Sequence, residues 1–83
     1  MYKVVFEKRA KKEFLKLDRT VQEIVAKGLI DLERGNFQGD KVLKGKYGGK
    51  FCKRVGNYRI IYYKEDDIVL ITIVRIAHRK EAY

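Results

Sequence analysis

The apolar residues at the start of the chain change their spacing within the first twenty positions. The run from Tyr2 to Phe6 is rich in residues that favour extended structure, which predicts a short strand. Apolar residues then recur every three or four positions, the spacing of one helix face, at Phe6, Ala10, Phe14 and Leu17. Lysine and glutamate fill the positions between them, so we predict a first amphipathic helix.

A second helical pattern follows Asp18. The sequence from Thr20 to Glu23 matches a capping box with Thr20 as the N-cap. The apolar stripe consists of Val21, Ile24, Val25, Leu29 and Leu32. Gly35 is placed to end the helix. Gly28 lies inside it at a cost of about 1 kcal/mol relative to alanine, and we expect close packing of the first helix there. The two helices are predicted to form an antiparallel hairpin.

The rest of the chain divides into a glycine-rich segment and a β-rich segment. Residues 35–49 contain few apolar side chains and are predicted to be a loop. Strands are predicted at 51–55, 58–63 and 68–77, separated by a Gly56-Asn57 turn and an acidic turn at 65–67. The last strand is apolar on both faces, which is typical of a central strand.

This order of elements predicts an α+β fold. A single domain over residues 1–83 would contain an N-terminal strand, a two-helix hairpin and a three-stranded antiparallel meander. Together the strands would form one mostly antiparallel sheet.

Composition narrows the possible classes of protein. The chain has 83 residues, of which 46% are hydrophobic, so it is long enough for one small core and is not expected to be disordered. No apolar run approaches the roughly 20 residues of a membrane span, and lysines interrupt the N-terminus too early for a signal peptide. We therefore expect a cytoplasmic protein that does not enter membranes.

Positive charge is concentrated in one part of the chain. Lys and Arg number 20 against 11 Asp and Glu, giving a formal net charge of +9. Residues 41–64 contain no acid, and their basic residues are Lys41, Lys44, Lys46, Lys50, Lys53, Arg54, Arg59 and Lys64. A segment whose charged residues are all positive suits a polyanion. We therefore expect nucleic acid as a partner, with an acidic protein as a compatible alternative.

Few residues are available for chemistry. One histidine and one cysteine cannot supply a zinc shell, so we expect no metal and no cofactor. Serine is absent, and Cys52 lies within a predicted strand, where a packed thiol is the favoured interpretation. Arginine, lysine and tyrosine remain. Hairpin pairing across Gly56-Asn57 should bring Arg54 near Arg59, depending on the register.

RNA cleavage gives such residues a plausible role, because RNA carries its own nucleophile in the 2′-OH. Guanidinium groups bind phosphate bidentately and stabilise the charge that develops on its oxygens. A base must remove the 2′ proton, and an acid must protonate the leaving 5′ oxygen. A tyrosine among cations is a candidate for proton transfer, because neighbouring positive charge lowers its pKa.

Two segments of the chain resemble the RelE/ParE toxins of type II toxin–antitoxin systems. The segment from Arg54 to Tyr62 reads RVGNYRIIY and is similar to the "RVGDYRxxY" core of that family. The ending from Ile76 to Tyr83 reads IAHRKEAY and is similar to the family's "xxHRKxxY" tail. The order of the other elements also matches, so the resemblance covers the whole chain.

The resemblance implies a function and a set of site residues. It implies a metal-independent endoribonuclease that cuts mRNA in the A site of the 30S subunit, together with a cognate antitoxin. The catalytic candidates are Arg59 and Arg79 on the scissile phosphate, Tyr83 as a general base or stacking group, and Arg54 as a further charge stabiliser. The RNA-binding candidates are Lys46, Lys50, Lys53 and His78. His78 could act in proton transfer or be a turn residue.

The family also leaves other functions open. A ParE-like inhibitor of DNA gyrase would share the fold but not the nuclease chemistry. A non-catalytic RNA-binding module would use the same arginines only to contact phosphates.

Overall fold

The computed structural model describes residues 1–81, so Ala82 and Tyr83 lie outside the described residues. The helices are α1 (Lys8–Lys16) and α2 (Arg19–Glu33). The strands are β1 (Lys3–Phe6), β2 (Lys41–Val42), β3 (Phe51–Val55), β4 (Tyr58–Glu65) and β5 (Leu70–His78). No helix within the described part of the chain is long and apolar enough to cross a bilayer.

The strands form one sheet in the order β1-β5-β4-β3-β2. β1 pairs in parallel with β5, and every other neighbouring pair is antiparallel. The predicted α+β class, the antiparallel meander and the central position of the last strand are therefore confirmed. β5 is central because its alternate residues are buried on both faces, with Ile71 and Ile73 on one and Thr72 on the other.

The segment predicted as a loop contains a fifth strand, so that prediction was wrong in part. β2 has only two residues, which pair with Phe51 and Cys52. A 3₁₀ turn follows at Gly45–Tyr47, and its Tyr47 is buried. A two-residue strand has no periodicity of its own, because its conformation depends on the neighbour with which it pairs.

Both helices contribute side chains to a core on one face of the sheet. Ala10 from α1, with Val25 and Leu32 from α2, packs with the sheet residues Ile60, Tyr62, Ile71, Ile73 and Ile76. This face also receives Gly28, where an added Cβ would lie 2.5 Å from Cγ1 of Val55. The glycine thus allows close approach of α2 to the sheet and not, as predicted, to the first helix.

The start of α2 also differs from the prediction. Asp18 is the N-cap, and its Oδ1 accepts a hydrogen bond from the backbone N–H of Val21 at 3.0 Å. Thr20 is already inside the helix, so the predicted capping box is wrong. Aspartate and threonine both serve as N-caps, and the pattern alone did not distinguish the two positions.

The last part of β5 is held by α1. β1 ends at Phe6, opposite Ile73, so no strand in the described part of the chain borders the outer edge of β5 beyond that point. Glu13 of α1 occupies this edge: its Oε1 accepts from the N–H of Ile76 at 2.9 Å, and its Oε2 accepts from Nη2 of Arg75 at 2.8 Å. The contact fixes the last part of β5, which leads directly to Arg79.

Candidate functional site

The register of the β3–β4 hairpin separates its basic residues onto two faces. Arg54 lies directly opposite Arg59, whereas Lys53 lies opposite the core residue Ile60. Successive residues of a strand point to opposite faces. Arg54 and Arg59 therefore share the face that is turned away from the helices, which we call the open face.

A small cavity forms around the two arginines. It measures about 130 Å³ and is lined by Gly39, Lys41, Cys52, Arg54 and Arg59. β2 brings Lys41 to this place by pairing it with Cys52. Within residues 1–81, neither Lys41 nor Arg54 forms an ion pair with a carboxylate. Cationic groups from three strands thus surround one concavity, which we call the cationic cavity.

Arg79 lies beside the turn that connects the two arginine-bearing strands. Its backbone N–H donates to the carbonyl of Asn57 at 2.8 Å, which extends the β4–β5 pairing beyond the Tyr58–His78 pair. Arg79 follows Ala77 by two residues, and Ala77 lies opposite Arg59. Continued alternation would place the exposed Arg79 side chain towards the open face. Tyr83 lies outside the described residues.

Two predicted RNA-binding lysines lie further along the same face. Nζ of Lys50 is 5.9 Å from the ring centroid of Tyr63, which shares the open face with Arg59. Lys46 is exposed on the 3₁₀ turn, with its Nζ 5.7 Å from the ring of Tyr47. The positive surface therefore extends beyond the cationic cavity along the sheet.

Lys53 does not line the cationic cavity. Its Nζ forms an ion pair with Oδ1 of Asp40 at 3.0 Å, and the two side chains are only 7% and 5% exposed. The same Nζ donates to the carbonyl of Asn36 at 3.2 Å, and the Tyr62 hydroxyl donates to the other oxygen of Asp40. Burial and this hydrogen bond raise the pKa of Tyr62 well above its usual value, so Tyr62 remains a protonated donor.

His78 also lies away from the cationic cavity. It pairs with Tyr58 across β4 and β5, and the two rings make an edge-to-face contact with centroids 5.3 Å apart. Its Nδ1 accepts from the N–H of Lys80 at 3.2 Å. The side chain sits with Tyr58, which packs against the core on the helix side, and so does not approach Arg54 or Arg59.

The sequence identified Lys41 as basic but did not select it for the site. Lys41 enters the site only because β2 exists and pairs with Cys52, which no pattern in residues 35–49 indicated. Cys52 is a buried thiol within β3, as favoured from the sequence, and it lines the cationic cavity. Among residues 1–81, no three His, Cys, Asp or Glu side chains cluster so that they could hold a metal ion.

Comparison with known proteins places this chain in a family. The profile of the family described as the ParE toxin of type II toxin–antitoxin systems matches residues 4–83. Toxin RelG of Mycobacterium tuberculosis is 31% identical over 83 residues, covering 99% of this chain and 95% of RelG. The mRNA interferase toxin RelE of Escherichia coli is 29% identical, covering 98% of this chain and 86% of RelE.

Solved structures show the same architecture. A chain of the RelBE2 toxin–antitoxin complex from M. tuberculosis superimposes with a TM-score of 0.83 at 30% identity, over 94% of this chain and 98% of the other. A chain of the intact E. coli RelBE complex gives a TM-score of 0.77 at 28% identity, over 94% and 96%. Given the profile match over nearly the whole chain and the likeness to RelG, the chain belongs to the RelE/ParE superfamily and is a RelE-like toxin of a type II toxin–antitoxin system.

Proposed function

We propose that this toxin is an endoribonuclease that cuts mRNA in the ribosomal A site by attack of a 2′-OH on the adjacent phosphorus. The observation that carries the proposal is the direct pairing of Arg54 with Arg59 in the cationic cavity on the open face. The E. coli relative is named as an mRNA interferase toxin, RelE, which supports the same reaction class.

The arginines have a defined part in this reaction. The 2′-OH gives up its proton and its oxygen forms a bond to phosphorus, while the bond to the 5′ oxygen breaks and that oxygen takes up a proton, leaving a 2′,3′-cyclic phosphate and a 5′-hydroxyl end. Negative charge grows on the non-bridging oxygens, and the guanidinium groups of Arg54, Arg59 and Arg79 stabilise it. Tyr83 is proposed to act as the general base or to stack on a base. No metal ion or cofactor takes part in the proposed mechanism.

The size of the cationic cavity favours a substrate that something else holds in place. Pockets that enclose a small ligand measure roughly 300–1,000 Å³, whereas this cavity measures about 130 Å³. It accommodates a phosphate group and leaves the rest of the RNA outside. Positioning accounts for a large share of catalytic power, and the ribosome is proposed to supply it by presenting mRNA in the A site of the 30S subunit.

A cognate antitoxin is the proposed protein partner. Two similar solved structures are toxin–antitoxin complexes, RelBE2 from M. tuberculosis and RelBE from E. coli. With a net charge of +9 and an open face that carries Lys41, Lys50 and Arg54, this chain would favour an acidic segment laid across that face as a helix or a strand. Toxin and antitoxin are expected to meet in the cytoplasm.

Primer extension on mRNA translated in a reconstituted system tests the nuclease directly. The wild-type chain should produce defined cuts only when ribosomes are present, and Arg59→Ala should reduce the rate of cutting by about 10²–10³-fold, the cost of removing one charge stabiliser. Arg19→Ala is the matched control, because it removes the same charge from an exposed position at the start of α2. Cutting by Arg59→Ala at the wild-type rate would contradict the proposal.

A second candidate function follows from the family profile, which is that of ParE toxins. A ParE-like chain would inhibit DNA gyrase by binding it. Inhibition of supercoiling by the wild-type chain, without mRNA cleavage, would favour this function. Salt-dependent RNA binding with neither activity would indicate a non-catalytic RNA-binding module.

A further inference from the structure

A second cavity lies at the edge of β3, immediately beyond β2. Because β2 pairs only with Phe51 and Cys52, no strand among residues 1–81 borders the edge of β3 from Lys53 onwards. The end of α2 and the segment 36–40 border this gap and leave a cavity of about 350 Å³. The residues that matter in its lining are Asp31, Asn36, Gln38, Gly39, Asp40 and Arg54.

The edge cavity adjoins the cationic cavity at the edge of β3. Gly39 and Arg54 line both of them, so one guanidinium stands at their boundary. A ligand whose phosphate lies between Arg54 and Arg59 would therefore have the edge cavity within reach of its neighbouring groups. The cavity is open to solvent, and its volume of about 350 Å³ lies within the range of small-ligand sites.

The wall of the edge cavity is held in place by hydrogen bonds within the chain. Asp40 is fixed through both of its carboxylate oxygens, one bonded to Lys53 and the other to Tyr62. The N–H of Asn36 donates to the carbonyl of Asp31 at 2.8 Å, and Oδ1 of Asn36 accepts from the N–H of Gln38 at 3.2 Å. A cavity with a preorganised wall loses less entropy when it binds a ligand.

The polar groups of the edge cavity fit a hydrogen-bond donor better than a phosphate. Within residues 1–81, the carboxylate of Asp31 forms no hydrogen bond or ion pair, whereas that of Asp40 is fully engaged. An ionised carboxylate only accepts hydrogen bonds and repels other anions. The amide of Gln38 adds one acceptor and one donor group. A nucleobase that presents adjacent N–H groups matches this lining.

We propose that the edge cavity is a nucleobase pocket that reads the RNA next to the cleaved phosphate, with Asp31 as its specificity-determining residue. The proposal builds on the nuclease function above. Guanine is the preferred base, because its N1–H and its exocyclic amino group donate side by side to one carboxylate. Uracil is the least favoured, because its single N–H lies between two carbonyl oxygens.

Binding of the four ribonucleoside 3′-monophosphates tests the pocket without requiring cleavage. Titrations followed by amide NMR should give the highest affinity for the guanosine nucleotide, about tenfold above that of the uridine nucleotide. The perturbed amides should include those of Gln38 and Gly39. Equal affinity for all four nucleotides, or no binding of any, would overturn the proposal.

Matched variants assign the preference to the pocket. Asp31→Asn and Gln38→Ala should each reduce the guanosine preference by several-fold while leaving the affinity for the uridine nucleotide unchanged. Arg59→Ala should lower the affinity for all four nucleotides by a similar factor. Asp67→Asn is the control, because it removes one acid from an exposed turn that does not line the cavity. A guanosine preference that survives in Asp31→Asn would remove Asp31 from the proposed role.

The two proposals fail in different ways. A guanosine preference that depends on Asp31, in a chain that does not cut mRNA, would leave the pocket standing and refute the nuclease. Cleavage that depends on Arg59, with a base profile that Asp31→Asn leaves unchanged, would leave the nuclease standing and refute the pocket.

Discussion

Two neighbouring residues of β3, Lys53 and Arg54, carry the same charge and have opposite environments. Lys53 points to the helix side and is buried in an ion pair with Asp40. Arg54 points to the open face, is exposed and lines the cationic cavity. A run of basic residues on a strand is therefore divided by alternation into a structural set and a functional set.

The largest expected effect is on stability, at the buried member of this pair. Lys53→Met should lower the free energy of unfolding by about 3–5 kcal/mol, because it leaves the buried Asp40 carboxylate without its cation. Urea denaturation measures the change. Arg54→Met is the matched control and should alter the unfolding free energy by less than about 0.5 kcal/mol. Equal losses of stability in the two variants would show that Lys53 has no structural role that Arg54 lacks.

The next effect is on activity, at the exposed member of the pair. Arg54→Met should slow mRNA cleavage by about 10²-fold, since it removes one of the groups that stabilise the phosphate charge. Single-turnover cleavage on programmed ribosomes measures the rate. Lys53→Met, assayed where it is still folded, should cut at nearly the wild-type rate. A large loss of activity in that variant would mean that Lys53 belongs to the functional set.

A smaller effect is expected where α2 approaches the helix side of the sheet. Gly28→Ala would place a Cβ at 2.5 Å from Cγ1 of Val55 and at 3.0 Å from Cδ1 of Ile60. The overlap should cost about 1–3 kcal/mol of stability, despite the better helix propensity of alanine. Thermal unfolding checks this prediction. An increase in Tm would show that the helix and the sheet have room to separate.

The smallest effect is at the beginning of the same helix. Asp18→Ala should cost about 1 kcal/mol through the loss of the N-cap hydrogen bond to Val21. Thr20→Ala should cost less than about 0.5 kcal/mol, because Thr20 lies within the helix. If urea denaturation shows a larger loss of stability for Thr20→Ala than for Asp18→Ala, the capping box predicted from the sequence is correct.

The sequence predicted the elements whose apolar residues recur with the spacing of a helix or a strand. The stripes of α1 and α2 and the three strands of the meander are long enough for apolar spacing to reveal them. The pairing of Arg54 with Arg59 was also predictable in outline, because a two-residue turn restricts the register of a hairpin.

The remaining features depend on contacts between distant residues. β2 is defined by its pairing with Phe51 and Cys52, and it alone brings Lys41 to the cavity. The burial of Lys53 depends on Asp40, thirteen positions earlier in the chain. The alignment of His78 with Tyr58 on the helix side depends on the shift in the β4–β5 register near Ile61 and Tyr62. No local pattern contains this information.

Side-chain NMR with an uncleavable RNA most directly tests the claim that the open face holds the phosphate. A 2′-O-methylated trinucleotide added at low salt should shift the Nε–H signals of Arg54 and Arg59 and leave the ring signals of Tyr58 and His78 in place. The two sets of signals report on opposite faces of the same two strands. Shifts confined to Tyr58 and His78, with both arginine signals unmoved, would contradict the account.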